Sequence, residues 1–401
     1  MFSNRLAADL RPNRLTLAVE KRRAAGLPII DLTQSNPTTA GFEYPKDLLA
    51  PLANDRGLEY APEPLGLIDA RRAVAAEYAR RGVAVAPERI ALAASTSDAY
   101  ALLFKLLASP GDEILVPRPS YPLFDHLTAL DGVIARSYDL EYHGRWSIDF
   151  ASVDRAVGPK TRAVLVVHPN NPTGSFVSQD ELERLAALCA ARDLAVIADE
   201  VFADYELEPG SAGRAGSMLT RDDVLVFALG GLSKSVGLPQ VKLGWMALTG
   251  PPHVVAEALE RLEVVCDTYL SVSTPVQLAA AELLERGAAV RVQIASRIVA
   301  NYRRLNERAV SAPSTRVLRA DAGWYAVVQV PTFRSEEDLV VDLLSTGGVL
   351  THPGYFFDFP RASYLILSLL PPEPIFSDGV DKLFGAAAFQ VHGDRAAASY
   401  E

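Results

Sequence analysis

Residues 163–174 read AVLVVHPNNPTG. The first five are apolar without polar alternation, which is typical of a strand buried on both faces of a parallel sheet. The other seven combine Pro, Asn and Gly, residue types that favour a tight reversal of the chain. The segment therefore predicts a buried strand that ends in a constrained turn.

Three further apolar runs have the same character, and stretches with helical periodicity lie between them. The runs cover residues 114–116, 194–198 and 224–228. Residues 98–107 and 179–191 have a helical pattern, and Ser178 with Glu181 gives the second helix a capping-box signal. Strands that alternate with helices predict an α/β fold in which helices cover a largely parallel sheet.

The sequence pattern changes near residue 285. A long Arg-rich helix, an acidic helix and two apolar runs follow, at residues 288–308, 336–344, 323–328 and 364–369. A chain of 401 residues also exceeds the size at which a single hydrophobic core stops growing. We expect an N-terminal arm and part of a small domain over residues 1–45, a large domain over 46–284, and a C-terminal small α+β domain over 285–401.

The composition limits the possible partners. Lys and Arg number 39 against 49 Asp and Glu, a net charge of −10, which is opposite to the basic surface of a nucleic-acid binder. Charged residues near the start, among them Asp9, Arg11 and Arg14, interrupt any signal peptide, and no later segment is long and apolar enough to span a bilayer. The two cysteines and six histidines lack metal-type spacing. We therefore expect a cytoplasmic protein with no nucleic acid, no membrane and no metal.

Ligands of open parallel sheets bind outside the carboxyl ends of the strands, so polar residues beside the apolar runs are candidate site residues. Residues 94–98, ASTSD, stand just before a helix, where small hydroxyl residues either bind a phosphate or simply cap the helix. Asn171, in the constrained turn, either donates a hydrogen bond to a ligand or forms an Asx-turn.

Two charged residues occupy equivalent positions. Asp199 follows the run 194–198, and a carboxylate at a buried strand end needs either a structural ion pair or a protonated ring nitrogen as its partner. Lys234 lies in GGLSKS, residues 230–235, after the run 224–228. A desolvated lysine can form a Schiff base, whereas most lysines in loops are only solvated.

These four segments, in this order, resemble the class I/II aminotransferases of the fold-type I pyridoxal-phosphate family. The resemblance covers nearly the whole chain and extends to EYAP at 59–62 before Gly66, PGDE at 110–113, PRPSYP at 117–122, NPTG at 171–174, DEV at 199–201 and SK at 233–234. It implies a large domain with a mainly parallel sheet of the seven-stranded type that binds pyridoxal 5'-phosphate, and a smaller α+β domain built from both chain ends.

The resemblance also implies roles for individual residues. Lys234 carries the cofactor as a Schiff base, Asp199 meets the pyridine nitrogen, Asn171 donates to the ring oxygen and Tyr121 stacks on the ring. The remaining implied cofactor contacts are Ser95, Thr96, Ser97, Ser233 and Lys242, with Tyr60 reaching the phosphate of the neighbouring subunit in a homodimer. The active sites of such a homodimer lie across its interface.

Several positions depart from the family pattern. Phe202 stands where the family usually has Tyr, so one hydroxyl donor to the ring oxygen is missing. Lys242 replaces the usual phosphate-binding Arg, which keeps the charge but loses the bidentate geometry, and Gly231 replaces Ser. Ile366 stands where an Arg usually clamps the substrate carboxylate, so either another cation supplies the clamp or the substrate is not an ordinary α-amino acid. Arg361 is the candidate replacement, and Ser35 is a second candidate substrate contact.

The resemblance predicts an aminotransferase that moves an amino group between an amino acid and a 2-oxo acid. A β-lyase, decarboxylase or oxidase on the same scaffold is the alternative that the missing Arg keeps open. A regulator that binds the cofactor without catalysis is a remote third possibility. Known regulators with this domain carry a DNA-binding helical module in front of it, and no basic helical segment of that size precedes residue 30.

Overall fold

A computed structural model describes residues 3, 5–6, 10–208, 213–312, 314–331, 335–361 and 363–397, with side chains as far as residue 385. Its strands are β1 (Ile30–Asp31), β2 (Ile90–Ala93), β3 (Glu113–Arg118), β4 (Ile134–Tyr142), β5 (Trp146–Ile148), β6 (Thr161–Val167), β7 (Ala195–Asp199), β8 (Val226–Gly231), β9 (Gly244–Thr249), β10 (Arg316–Val317), β11 (Tyr325–Gln329), β12 (Val349–Leu350), β13 (His352–Pro353) and β14 (Tyr364–Ser368).

The α-helices of the described residues are α1 (Arg14–Ala24), α2 (Ile68–Arg80), α3 (Thr96–Leu107), α4 (Phe124–Leu130), α5 (Phe150–Ala156), α6 (Gln179–Arg192), α7 (Leu232–Ser235), α8 (Pro252–Tyr269), α9 (Thr274–Leu278), α10 (Ala280–Val310), α11 (Glu336–Asp342) and α12 (Glu373–Ala397). A π-helical turn at Leu343–Gly347 continues α11. None of these helices is both long and apolar enough to cross a membrane.

An eight-stranded sheet in the order β2-β9-β8-β7-β6-β3-β4-β5 forms the centre of the larger part of the molecule. Its five neighbouring strands β8, β7, β6, β3 and β4 are parallel, while β9 and β5 run antiparallel to their neighbours. The predicted α/β fold with a mainly parallel sheet is confirmed. The strand count exceeds the seven-stranded type because the short β5 folds back on the end of β4 and adds an edge strand.

The central strands are apolar throughout because helices cover both faces of the sheet. Leu165 and Ile197 face a core that α3 and α8 complete, whereas their neighbours Val164 and Val196 face a core with α5 and α6. Helix α6 begins at the predicted capping box, with both reciprocal hydrogen bonds between Ser178 and Glu181 present.

A four-stranded antiparallel sheet in the order β10-β11-β14-β13 and the parallel pair β1-β12 form the smaller part. The backbone N–H of Ser368 donates to the carbonyl of Leu32 at 2.7 Å, so the N-terminal segment is tied to this sheet. The 31-residue helix α10 begins at Ala280, earlier than the predicted 288, and packs against α2 and α12. The domain limits at residues 45 and 284 stay a prediction.

Candidate active site

Three strand ends meet at one edge of the large sheet. Asn171 follows β6, Asp199 is the last residue of β7, and Lys234 lies in α7 directly after β8. The N–H of His168 donates to the carbonyl of Asp199 at 2.8 Å, and the N–H of Glu200 donates to the carbonyl of Leu229 at 3.0 Å. Because the three strands are parallel neighbours, residues far apart in sequence are placed at one site.

Asp199 is a buried carboxylate with an exposed fraction of 8%. Its Oδ2 accepts a hydrogen bond from the Tyr100 hydroxyl at 2.7 Å, and its Oδ1 accepts one from the N–H of Val201 at 3.1 Å. Burial raises the pKa of this carboxyl, while the hydrogen bonds and the charge of Lys234 act against that rise. Among the described residues no cation lies within ion-pair distance of Asp199, so a structural ion pair does not account for its burial.

The Lys234 amine lies against aromatic rings. Its Nζ is 4.8 Å from the centre of the Trp324 ring and 5.7 Å from that of Phe202. Burial lowers the pKa of the amine to about 8, although Asp199 acts against this. A lysine with that pKa is substantially neutral near pH 8, which is the form that attacks a carbonyl carbon.

The start of α3 offers backbone donors on the same side of the sheet. Ser95 is the N-cap, and its Oγ accepts from the N–H of Asp98 at 3.1 Å, while Thr96 and Ser97 occupy the first turn. Strand β9 passes so close that a Cβ at Gly244 would lie 2.8 Å from the Ser95 carbonyl carbon. Free N–H groups at a helix start attract an anion, so the geometry suits a phosphate.

The turn after β6 is tied to the loop that follows β3. The Asn170 amide donates to the carbonyl of Pro119 at 3.1 Å and accepts from the Ser120 hydroxyl at 3.1 Å. The adjacent Asn171 makes no side-chain hydrogen bond among the described residues, and its Oδ1 is buried. Tyr121 is 38% exposed, and both burial and the charge of Asp199 raise the pKa of its phenol.

Comparison with known proteins identifies the family. The family model described as aminotransferase class I and II matches residues 28–368. This chain belongs to that family. It is 26% identical over 366 residues to glutamate-pyruvate aminotransferase AlaA of Haemophilus influenzae, an alignment that covers 89% of this chain and 90% of the relative. It is also 33% identical over 244 residues to S-alkyl-thiohydroximate lyase SUR1 of Arabidopsis thaliana, which covers 59% of this chain and 51% of that protein.

Among solved structures, the chain resembles alanine aminotransferase from Pyrococcus furiosus with a TM-score of 0.85 and 26% identity. The superposition covers 97% of this chain and 100% of the Pyrococcus furiosus chain. This member of the class I and II aminotransferases is therefore a transferase whose family and fold imply dependence on pyridoxal phosphate. Amino acids and 2-oxo acids are the substrates that the family implies.

The residues present fit that cofactor. Asp199 is a buried carboxylate that lacks a cationic partner within 4 Å among the described residues, as expected of a group that meets a protonated ring nitrogen. The Asn171 Oδ1 has no hydrogen-bond partner in the part of the chain that the structure describes, and the first turn of α3 presents backbone donors. Lys242 is exposed and has left-handed backbone geometry two residues before Gly244, the glycine that packs against Ser95.

The aminotransferase's substrate side differs from the family pattern. Ile366 is fully buried, with Val327 and His352 as its register neighbours, so its side chain belongs to the core. Arg361 is exposed and makes no hydrogen bond or ion pair that the described residues show. Ser35 is exposed, and burial of Tyr325 raises the pKa of its phenol to about 12, which outweighs the effect of Ser35 in lowering that pKa.

Sequence reasoning missed four aromatic residues of this site, namely Tyr100, Tyr205, Trp324 and Tyr325. The Tyr205 hydroxyl donates to the Lys234 carbonyl, and the Trp324 ring packs against both Tyr205 and Phe202. Trp324 and Tyr325 could have been found because they follow Gly323 in a strand that the sequence did predict. Tyr100 gave no signal, because an aromatic residue in a buried helix is ordinarily core.

Tyr60 lies on a surface groove together with Leu270 and Ser271, and its side chain is 78% exposed. Its contact with the cofactor of a neighbouring subunit stays a prediction.

Phe202→Tyr restores the hydroxyl that the family usually places beside the ring oxygen. The added donor stabilises a charged oxygen, so we expect the pKa at which the cofactor's visible absorption changes to fall by about one to two. A pH titration of the absorption spectrum of both holoenzymes measures it. Identical titration curves would show that Phe202 does not account for the missing donor.

Proposed function

We propose that this aminotransferase binds pyridoxal 5'-phosphate as a Schiff base on Lys234 and moves an amino group between an amino acid and a 2-oxo acid. The main support is a buried carboxylate, Asp199, with no cation within 4 Å among the described residues, and a lysine at the same sheet edge whose pKa is lowered to about 8. A functional site is where such perturbed groups gather.

When bound, the cofactor supplies a cationic ring that accepts the electrons left by the broken Cα–H bond. Asp199 holds a proton at the ring nitrogen, which keeps the ring cationic. Lys234, as a neutral amine, would take the proton from the substrate Cα as general base and then deliver it to the cofactor carbon as general acid. The first turn of α3, with Ser95, holds the phosphate by backbone and hydroxyl donors.

The remaining cofactor contacts are proposed from the resemblance to the family. Tyr121 would cover one face of the ring, and Asn171 would donate to the ring oxygen. Ser233 and Lys242 would add donors to the phosphate. We also place the protein in the cytoplasm, and we propose that it forms a homodimer in which Tyr60 reaches the phosphate of the other active site.

Two residues are proposed to hold the substrate. Ser35 contributes from beside Tyr325, whose raised pKa of about 12 keeps the phenol protonated. Arg361 supplies the positive charge for the carboxylate, since Ile366 is buried and apolar.

A lyase reaction on the same scaffold is the second candidate function. It is favoured by the buried Ile366 in place of a carboxylate clamp and by the 33% identity to a lyase over 244 residues. Amino transfer and β-elimination both begin with removal of the Cα proton, so the residues above serve either of these two reactions.

One experiment separates the two reactions. The purified yellow holoenzyme is mixed with a panel of amino acids, conversion of the cofactor to its amine form is followed by absorption, and the released product is identified by mass spectrometry. A 2-oxo acid with stoichiometric conversion to the amine form supports transfer. Pyruvate with ammonia, or carbon dioxide, without accumulation of the amine form would replace transfer by lyase chemistry.

Arg361→Ala tests the proposed carboxylate clamp. Loss of a charge-assisted contact costs about 1.5–3 kcal/mol, so we expect the KM for amino donors to rise about 10- to 100-fold with a smaller change in kcat. Arg303→Ala is the matched control, because that side chain is 74% exposed on α10. An unchanged KM for every donor in the Arg361 variant would remove Arg361 from the substrate site.

A further inference from the structure

Tyr100 contacts the proposed ring-nitrogen partner directly. It lies in α3, is 2% exposed, and donates its hydroxyl hydrogen to Oδ2 of Asp199 at 2.7 Å. Burial and the charge of Asp199 raise the pKa of the phenol well above its usual value. The hydroxyl therefore stays protonated and acts as a donor throughout the working pH range.

The Tyr100 ring is held in place by its neighbours. The Phe124 ring meets it edge-on at a centre-to-centre distance of 5.4 Å, and the Phe104 ring lies at 6.1 Å. The hydroxyl has no other hydrogen-bond partner among the described residues. A buried hydroxyl held against one carboxylate oxygen fixes the orientation of that carboxylate.

The two oxygens of Asp199 are each held by a different element. Tyr100 donates from α3 to Oδ2, and the N–H of Val201 donates to Oδ1 at 3.1 Å from the segment after β7. A carboxylate oxygen has two lone pairs, so each oxygen keeps one for a further donor. Helix α3 thus contacts the site twice, through its first turn at Ser95 and one turn later through Tyr100.

We propose that Tyr100 is a positioning residue that holds the Asp199 carboxylate in the orientation in which it meets the cofactor's ring nitrogen. The inference rests on the proposed function, because it needs pyridoxal phosphate at this site. Tyr100 touches neither substrate nor reacting atoms, and it acts only through Asp199.

Tyr100→Phe removes the hydroxyl and keeps the ring. The dissociation constant of the apoenzyme for pyridoxal phosphate, measured by fluorescence titration, is expected to rise about tenfold or more, the effect of one lost hydrogen bond to a charged group. With the deaza analogue, in which carbon replaces the ring nitrogen, variant and parent are expected to bind equally. A merely structural role would weaken both cofactors alike.

Tyr138→Phe is the matched control, because Tyr138 is another buried tyrosine that donates to a backbone carbonyl, that of Leu165, at 2.9 Å. It is expected to lower the melting temperature without a cofactor-dependent change. The proposal would be overturned if Tyr100→Phe weakened the binding of both cofactors equally or weakened neither. It would also be overturned if Tyr138→Phe weakened pyridoxal phosphate relative to the deaza analogue as much as Tyr100→Phe does.

Failure of the proposed function gives a different result. Borohydride reduction of the parent holoenzyme followed by peptide mass spectrometry shows whether Lys234 carries a pyridoxyl group. If the adduct is present but Tyr100→Phe weakens the binding of pyridoxal phosphate and of the deaza analogue by the same factor, only the role of Tyr100 fails. If the adduct is absent, the cofactor assignment itself is wrong.

Discussion

Replacing Lys234 with alanine is expected to abolish the covalently trapped cofactor and to lower the rate of amino transfer by at least about 10⁴-fold, since a general acid–base group alone contributes about 10²–10⁴. The variant loses both the amine that binds the cofactor and the group that moves the Cα proton. Steady-state rates and borohydride trapping measure the two losses separately. Added methylamine is expected to restore part of the rate, because a free amine can perform the proton transfer without the tether.

Lys382→Ala is the control for this prediction. Lys382 is a surface lysine of α12 that pairs with Asp378 at 3.0 Å and has no role in the proposed site. The control is expected to keep its colour, its trapped adduct and its rate. A pyridoxyl group on another lysine of the parent protein, or a Lys234→Ala variant that still carries a trapped adduct, would refute the assignment of Lys234.

The sequence predicted the fold well because its strongest signals come from burial. Strands β6 and β7 are covered on both faces, so their sequences are apolar without polar alternation. The start of α6 was predictable because Ser178 and Glu181 have the capping-box spacing. The edge strand β5 was missed because its three residues give no periodicity. The early start of α10 at Ala280 was missed because the helix follows α9 almost directly.

The candidate site was predictable where function requires a rare residue at a strand end. Asp199 and Lys234 are conspicuous in sequence because a charge beside an apolar run needs an explanation. The aromatic residues around them are not conspicuous. In the sequence, Tyr100 and Trp324 look like ordinary core residues. Only the fold brings Tyr100 to Asp199 and Trp324 to the Lys234 amine.

Asp199→Asn is expected to lower the rate of amino transfer by about 10²- to 10³-fold, the usual effect of removing one group that stabilises developing charge. Asparagine has nearly the same shape as aspartate, and its amide oxygen can still accept a hydrogen bond from the Tyr100 hydroxyl. In the parent protein that hydroxyl lies 2.7 Å from Oδ2 of Asp199. The neutral amide cannot hold a proton at the ring nitrogen, so the electrons from the Cα–H bond find a weaker acceptor. Single-turnover absorption measurements of the first half-reaction test this directly.

Glu200→Gln is the matched control for Asp199→Asn, because it changes the adjacent buried carboxylate in the same way. Glu200 accepts from the Ser217 hydroxyl and the N–H of Met218, both at 2.8 Å, and pairs with Arg81 at 3.6 Å. Its variant is expected to lose stability while the pH dependence of the spectrum stays the same. An N-methylated cofactor, whose ring is cationic without help from the protein, is expected to restore part of the rate in Asp199→Asn and to give no gain in Glu200→Gln. If it does not raise the rate of Asp199→Asn, the charge of the ring is not what Asp199 maintains.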